Sequence, residues 1–262
     1  MAGCVGSLGD AVMAATLLRA IDLVKSFGGL RATDHLSLDV AEGEVHALIG
    51  PNGAGKTTAV GQLVGEIHPD SGRIEFAGED VSGLPPPARL RRGLARSFQI
   101  SQLLLDYSAL DNVALAVQAR EGHSFRFWRQ TRTDRALRAT ALSHLEETGL
   151  AALADTRTAD LSHGQQKQLE LAIALATRPR LMLLDEPMAG LGPTETQAMT
   201  ALLRALKGRI AMLLIEHDME TVFALADRVT VLVSGRSIAC GPPAAIRDDA
   251  AVRQAYLGDG DA

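Results

Sequence analysis

Short apolar runs alternate with segments of helical spacing along most of the chain. Such runs predict buried strands where Gly or charged residues bound them. They are EVHALIG (44–50), RLMLLDEP (180–187), RIAMLLIEH (209–217) and RVTVLV (228–233). Segments with helical periodicity follow them, among them KTTAVGQLVGEI (56–67) and a segment that begins at Pro193. Apolar strands that alternate with helices predict a parallel sheet covered by helices, and therefore an α/β fold.

Two regions depart from this alternation. Residues 16–40 contain short β-like runs on either side of a turn at 27–29, and GRIEFAG (72–78) is another short strand. After three prolines at 85–87 the pattern becomes helical, with periodic segments at 111–119 and 133–148. We therefore expect a helical subdomain, at about 86–165, inserted into the α/β core.

The two ends of the chain are predicted differently. Residues 1–15 lack the basic start of a signal peptide, and Asp10 interrupts their apolar stretch. We expect a short disordered leader there, with a true start at Met13 as the alternative. Residues 241–258 are expected to form a C-terminal tail.

The net charge and the hydropathy of the chain argue against two classes of protein. The 262 residues carry a formal net charge of −5, which argues against bulk nucleic-acid binding because that function favours a basic face. Uninterrupted apolar runs stay below the roughly 18 residues that a membrane-spanning helix needs.

One contiguous motif predicts a phosphate-binding site. Residues 50–57 (GPNGAGKT) fit the pattern G-x-x-x-x-G-K-[ST], with a predicted strand before and a helix after. The glycines let backbone N–H groups curve around phosphates. Lys56 places a positive charge on the β- and γ-phosphates, and the Thr57 hydroxyl is placed to bind Mg²⁺. The expected nucleotide-binding residues are Asn52, Gly53, Ala54, Gly55, Lys56, Thr57 and Thr58.

A pair of carboxylates at the end of a predicted strand suits the same chemistry. Asp185 and Glu186 end the apolar run 181–186. Asp185 suits the Mg²⁺ shell of such a site. Glu186 could orient and deprotonate a water that attacks the γ-phosphate. The alternative is an ordinary solvated strand end.

These motifs, with three others, resemble the ATPase subunits of ABC transporters. The Lys56 loop resembles Walker A, 183–187 resembles Walker B, and LSHGQ (161–165) resembles the ABC signature. Phe98-Gln99 resembles the Q-loop, and 216–218 resembles the switch-histidine loop. All five stand in the family's order, and the resemblance covers about 16–258. It implies a P-loop NTPase fold of the ABC type with a mainly parallel core sheet, an antiparallel β subdomain and an inserted helical subdomain, and it implies ATP and Mg²⁺ as ligands.

The resemblance also assigns roles to single residues. Ser162, Gly164 and Gln165 would reach the γ-phosphate that a second ATPase chain holds, because such chains pair head to tail. Gln99 would contact Mg²⁺ or the attacking water, and His217 would contact the γ-phosphate. Phe27 would stack on adenine, although an isolated Phe usually belongs to the core. Two departures from the family pattern are His163, in place of a common Gly, and Gly192, where many members have Asp.

Within this family, several stretches resemble importers of branched-chain amino acids. They include FGGLRATDHLSLDV (27–40), LSHGQQKQLELAIAL (161–175) and VRQAYLG (252–258). Import of urea or short amides by the same architecture is the alternative, and a soluble ABC ATPase outside transport is a more distant one.

The implied partners are a second identical or paralogous ATPase chain, two membrane permease subunits and, indirectly, a periplasmic substrate-binding protein. No nucleic acid is expected. The implied location is peripheral, on the cytoplasmic face of the inner membrane. A basic stretch with aromatic residues, 124–138, could meet anionic lipid headgroups or a membrane subunit. The alternative is a solvated helix edge whose aromatic side chains pack within the helical subdomain.

Overall fold

The computed structural model describes residues 15–97, 103–120 and 134–257. The chain divides into two compact units. Unit 1 combines Met1–Arg89 with Leu206–Ala262, and unit 2 is Leu90–Ala205. The expectations for the leader up to residue 14, for Gln99 and for 124–133 lie outside the described residues. Within the described parts of the chain, the helices lack the length and hydropathy that crossing a bilayer requires.

The strands and helices are numbered here in chain order. The strands are β1 (Thr16–Phe27), β2 (Leu30–Ala41), β3 (Val45–Ile49), β4 (Ser71–Phe76), β5 (Glu79–Asp80), β6 (Leu94–Ser97), β7 (Leu181–Asp185), β8 (Ala211–Ile215), β9 (Arg228–Val233) and β10 (Arg236–Gly241). The helices are α1 (Lys56–Val64), α2 (Pro86–Arg91), α3 (Ala109–Arg120), α4 (Arg135–Glu147), α5 (His163–Ala176), α6 (Pro193–Leu206), α7 (Met219–Leu225), α8 (Pro243–Asp248) and α9 (Ala250–Leu257).

Unit 1 contains an antiparallel sheet with the strand order β2-β1-β4-β5. The β-like runs predicted at 16–40 are two 12-residue strands, joined by a tight turn in which Gly28 has a φ of 59°. Interruptions of the β1 and β2 register explain why the pattern suggested shorter runs. The antiparallel β subdomain is thereby confirmed.

A second sheet in unit 1 supports the phosphate-binding motif. Here β3 lies between β8 and β9 and runs parallel to both, while β10 pairs antiparallel with β9. All five residues of β3 and of β8 are buried, as the continuous apolar runs predicted. Helices α7, α8 and α9 cover part of this sheet with an apolar cluster that includes Ile49, Val222, Val231 and Ile246.

At the C-terminal end of helix α1, backbone carbonyls surround the side chain of one buried arginine. The helix stops at Val64, before the predicted end at residue 67, because Gly65 adopts a left-handed φ of 88°. The Arg89 guanidinium donates hydrogen bonds to the carbonyls of Gln62 and Leu63, at 2.8 and 2.6 Å. It also donates to the carbonyls of Ser82 and Leu84. The last carbonyls of a helix have no partner within it, so Arg89 satisfies them and complements their partial negative charge.

Unit 2 contains β6 and β7, which pair in parallel, and a helical core. It extends beyond the predicted insertion at 86–165, whose boundaries stay a prediction. Helices α3, α4 and α5 share an apolar cluster that includes Val113, Leu145 and Leu169, all fully buried. Asn112 ties the segment before α3 to this core. Its amide exchanges hydrogen bonds with the backbone of Leu104 and donates to the Thr158 hydroxyl.

Candidate nucleotide-binding site

The phosphate-binding motif folds as a loop between the buried strand β3 and helix α1. The Lys56 ammonium is enclosed by its own loop, where it donates to the carbonyls of Gly50 and Pro51 at 2.6 and 3.0 Å. The Lys56 side chain is buried, whereas Asn52, Gly53 and Thr57 are exposed. The first N–H groups of α1 have no acceptors within the helix, so this end can bind an anion.

Two glycines allow this loop to pass close to other backbone. A Cβ atom on Gly55, which has a φ of 101°, would collide with the carbonyl oxygen of Ala32. A Cβ atom on Gly50 would collide with the carbonyl oxygen of Leu232. The loop is further fixed by the Gly235 N–H, which donates to the Ala54 carbonyl at 2.8 Å. These positions therefore require glycine for packing as well as for phosphate approach.

His217 leaves the same edge of the sheet as this loop. Strands β3 and β8 run parallel with Ala47 opposite Leu214, so Gly50 and His217 each follow three residues later. His217 is exposed, and its N–H donates to the carboxylate of buried Glu216 at 3.0 Å. Asp218 caps helix α7, and a hydrogen bond from the Thr221 hydroxyl at 2.6 Å lowers the pKa of the Asp218 carboxyl.

Phe27 lies at the end of β1 and is half exposed, at 50%. The Lys25 ammonium is 5.6 Å from the centre of its ring. A half-exposed ring at a hairpin end is not a core residue, so it remains available for stacking on a planar ligand.

The two predicted carboxylates lie together at the end of β7, in unit 2. The Asp185 carboxylate accepts a hydrogen bond from the Arg96 guanidinium at 3.0 Å. Glu186 follows with a φ of 51°, in the left-handed region that residues other than Gly rarely adopt. Backbone strain of this kind occurs often at functional positions.

The signature motif forms the start of helix α5. Ser162 caps the helix: its hydroxyl accepts from the Gln165 N–H at 3.2 Å, and the Gln165 side chain accepts from the Ser162 N–H at 2.9 Å. This is a capping box. The Ser162 hydroxyl can still donate its hydrogen, and the first N–H groups of a helix have no acceptor within it, so this helix start is suited to an anion.

The structure therefore presents the predicted residues as two sets. In unit 1, the loop residues Asn52 to Thr58 and His217 lie at one sheet edge. In unit 2, Asp185 and Glu186 end one strand, and Ser162, Gly164 and Gln165 begin one helix. Gln99 lies outside the described residues, two positions beyond the end of β6 in the sequence. The sequence analysis missed Arg96, although it stands only three positions before Gln99.

Three features are now in place: a phosphate-binding loop after a buried strand, two carboxylates at the end of another strand, and a helix that begins with the signature motif. Together they define an ATP-binding cassette ATPase. Residues 33–189 match the family model described as ABC transporter, and the chain belongs to that family as an ATPase subunit that binds ATP. Residues 236–262 match the model described as branched-chain amino acid ATP-binding cassette transporter.

Individual proteins extend this result over nearly the whole chain. It is 38% identical to the high-affinity branched-chain amino acid transport ATP-binding protein BraF of Pseudomonas aeruginosa, over 94% of this chain and 100% of that protein. It is 37% identical to the lipopolysaccharide export system ATP-binding protein LptB of Acidithiobacillus ferridurans, over 93% and 97%. Its fold matches the crystal structure of the ADP conformation of the ATP-binding cassette MJ1267, with a TM-score of 0.83, 30% identity and coverage of 94% and 100%.

Proposed function

We propose that this chain powers an importer of branched-chain amino acids, as a peripheral subunit on the cytoplasmic face of the inner membrane. Overall identity does not choose the substrate, because the relatives BraF and LptB are almost equally similar and serve different transport systems. The observation that favours branched-chain amino acids is the match of residues 236–262 to a model of that specific group. Import of urea or short amides is the alternative within the same architecture.

The experiment that tests this substrate assignment uses the native host. Deletion of the gene should abolish uptake of radiolabelled leucine at low external concentration and leave urea uptake unchanged. The wild-type chain should restore leucine uptake, and the Lys56→Ala chain should not. Loss of urea uptake with normal leucine uptake would refute the assignment.

Within unit 1, the loop from Asn52 to Thr58 would bind the phosphates of ATP. Its backbone N–H groups and the α1 N-terminus attract the anion, and Lys56 would turn from the carbonyls of Gly50 and Pro51 to the β- and γ-phosphates. Phe27 would stack on adenine, a role that its half-exposed ring permits.

The donor set fits Mg²⁺. This ion takes oxygen ligands and usually keeps waters, with one or two carboxylates and the substrate phosphates completing its shell. Asp185, the Thr57 hydroxyl and Gln99 would hold the ion. When bound, it neutralises charge on the phosphates.

Glu186 would act as the general base and His217 as its aligning partner. The attacking water gives its proton to the Glu186 carboxylate while its oxygen bonds to the γ-phosphorus and the bond to the ADP oxygen breaks. Gln99 and His217 would orient the water and the γ-phosphate. Positioning and charge neutralisation supply most of the acceleration in reactions of this class.

The signature helix would serve a second ATPase chain, either a copy of this chain or a paralogue. Ser162 can donate its hydroxyl hydrogen while it caps its own helix, and the helix start supplies N–H groups and partial positive charge. Gln165 would hold Ser162 in place through the capping box. Two chains that pair head to tail would each complete the other's ATP site, so ATP would close the pair and hydrolysis would release it.

An apolar surface in unit 2 supports contact with the permease subunits. Leu104, Leu105 and Tyr107 are 43%, 51% and 44% exposed, immediately before helix α3. Asn112 fixes the backbone beneath them, so the surface is formed in the unpaired chain. Exposed apolar patches often mark partner sites. The substrate-binding protein would act through the permeases, without contact to this chain.

A further inference from the structure

The loop after the Walker B carboxylates is fastened to the first turn of the signature helix. This loop, 188–192, contains Gly192, at the position where many ABC proteins have Asp. Two side chains bridge the loop and the helix. They are Glu195, in the first turn of α6, and His163, the first residue of α5.

Glu195 makes the tighter of the two contacts. Its carboxylate accepts a hydrogen bond from the Gly192 N–H at 3.1 Å. The same carboxylate covers Gly164: a Cβ atom built there would lie 2.6 Å from Glu195 Cδ and 3.0 Å from Cγ. A side chain at position 164 would therefore have to push the end of the Glu195 side chain aside.

Charge favours this arrangement. Glu195 belongs to the first turn of α6 and lies against the first turn of α5, so its carboxylate faces the positive ends of two helices. On the other side, the His163 ring covers Gly190, where a Cβ atom would lie 3.0 Å from Nε2. The His163 Nε2 atom is also 3.4 Å from the Ala189 carbonyl oxygen.

We propose that Glu195 is a positioning residue that makes loop 188–192 move with the signature helix. This inference rests on the proposed pairing of two ATPase chains. When the partner's phosphate draws in Ser162 and Gly164, the loop that follows Glu186 is drawn along. Glu195 thereby supplies from within the chain a restraint on this loop, in the absence of an Asp at position 192.

The contact itself is tested without nucleotide, by hydrogen exchange of the full chain with mass spectrometry of a peptide covering 188–192. In Glu195→Ala the Gly192 amide should exchange about tenfold faster, because it loses a hydrogen bond to a charged acceptor. Glu195→Gln retains an acceptor oxygen of the same reach and should stay near wild type. The control is Thr194→Ala, an exposed neighbour. Equal exchange in Glu195→Ala and Thr194→Ala would overturn the proposal.

A double substitution tests the link to the signature. Gly164→Ala should weaken ATP-dependent association of the chains by about tenfold or more, measured by light scattering in a Glu186→Gln background. Shortening the acid in Gly164→Ala/Glu195→Asp makes room for the methyl group and should recover at least about a third of that loss, since contacting residues couple. Equal weakening in both variants would overturn the role of Glu195. Absence of ATP-dependent association in the Glu186→Gln parent would instead refute the pairing and leave the exchange result standing.

Discussion

The Asp185 carboxylate and the Arg96 guanidinium form an ion pair of 3.0 Å across two neighbouring parallel strands. Both side chains are about nine-tenths buried, at 12% exposure for Arg96 and 10% for Asp185. Removing one partner of a buried pair leaves a charge in a poorly solvated place. The pair therefore gives the Walker B aspartate a defined orientation before any nucleotide binds.

Arg96→Met should lower the free energy of unfolding by about 3 kcal/mol, measured by urea denaturation. The matched control is Arg19→Met. Arg19 is 47% exposed and lies 4.0 Å from Glu75, so its loss should cost less than about 0.5 kcal/mol. Similar costs for the two substitutions would mean that the Arg96 pair is solvated in solution.

Substitutions at Glu186 should affect ATP turnover and the free energy of unfolding differently. Glu186→Gln should bind ATP normally and stop phosphate release, because the amide cannot take the proton. Glu186→Gly should also stop release, yet raise the free energy of unfolding by about 0.5 kcal/mol. Glycine relieves the left-handed strain at φ 51°, which outweighs its entropy in the unfolded chain. Wild-type turnover in Glu186→Gln would contradict the role of Glu186 as the general base. A marked loss of stability in Glu186→Gly would show that the Glu186 backbone is not strained.

Stability should fall in acid because of His46. Its Nδ1–H donates to the Asp39 carbonyl and its Nε2 accepts from the Thr230 hydroxyl, and burial lowers the pKa of this imidazole to about 4 from 6.5. Above pH 6.5 the His46 imidazole is neutral in both the folded and the unfolded state, so it does not change the free energy of unfolding. Below pH 6.5 the unfolded state binds the proton first, and stability falls until about pH 4, by about 3 kcal/mol in total.

His46→Gln removes this titration, so its free energy of unfolding should vary less than that of the wild type between pH 6.5 and 4. Urea denaturation at several pH values measures the difference. Parallel curves for the two proteins would show that His46 is not the source of the acid sensitivity.

Mixing two defective chains should restore one ATP site. Lys56→Ala damages phosphate binding in its own chain, whereas Ser162→Arg should block only the partner's phosphate. In a mixed pair the intact Lys56 of one chain faces the intact Ser162 of the other, so ATP occlusion should return. If the native partner is a paralogue, the two substitutions should instead silence opposite sites of that pair.

Ser162 also caps helix α5, so Ser162→Arg carries a stability cost of about 1 kcal/mol that unfolding measurements must allow for. Ser162→Thr keeps a capping hydroxyl and is the matched control. Loss of the same site by both damaging substitutions would show that the signature serves its own chain's ATP.

The Leu104 surface should crosslink to a permease subunit. Cysteine at Leu104 or Leu105 should form bismaleimide adducts with a membrane partner in native membranes. Leu30→Cys is the control, because Leu30 is more exposed, at 69%, and belongs to the antiparallel sheet of unit 1. Adducts from Leu30 and none from Leu104 or Leu105 would contradict the docking assignment.

Sequence patterns located the continuously apolar strands and missed the edge strand β10. Strands β3, β7, β8 and β9 lie within the predicted runs because burial on both faces makes a strand continuously apolar. The edge strand β10 is half exposed and mixes polar with apolar residues, so its pattern carries little signal.

The same contrast holds for the site. The phosphate loop was predictable because its eight residues are contiguous and their residue types alone indicate phosphate binding. The Arg96–Asp185 pair joins residues 89 positions apart. Its existence depends on the register of β6 against β7, which neither segment encodes alone. The contact of Glu195 with Gly164 likewise required the packing of two helices.

The loop around Lys56 has its shape before ATP arrives. Its lysine is held by two of its own carbonyls, its glycines fit against Ala32 and Leu232, and helix α1 behind it is secured at the far end by Arg89. The conformational entropy of ordering this loop is therefore lost during folding and not during association with the nucleotide. What ATP must still overcome is the removal of water from its phosphates and the loss of the hydrogen bonds from Lys56 to the carbonyls of Gly50 and Pro51. The affinity of this loop for ATP therefore depends on exchanging one set of polar contacts for another more than on ordering the chain.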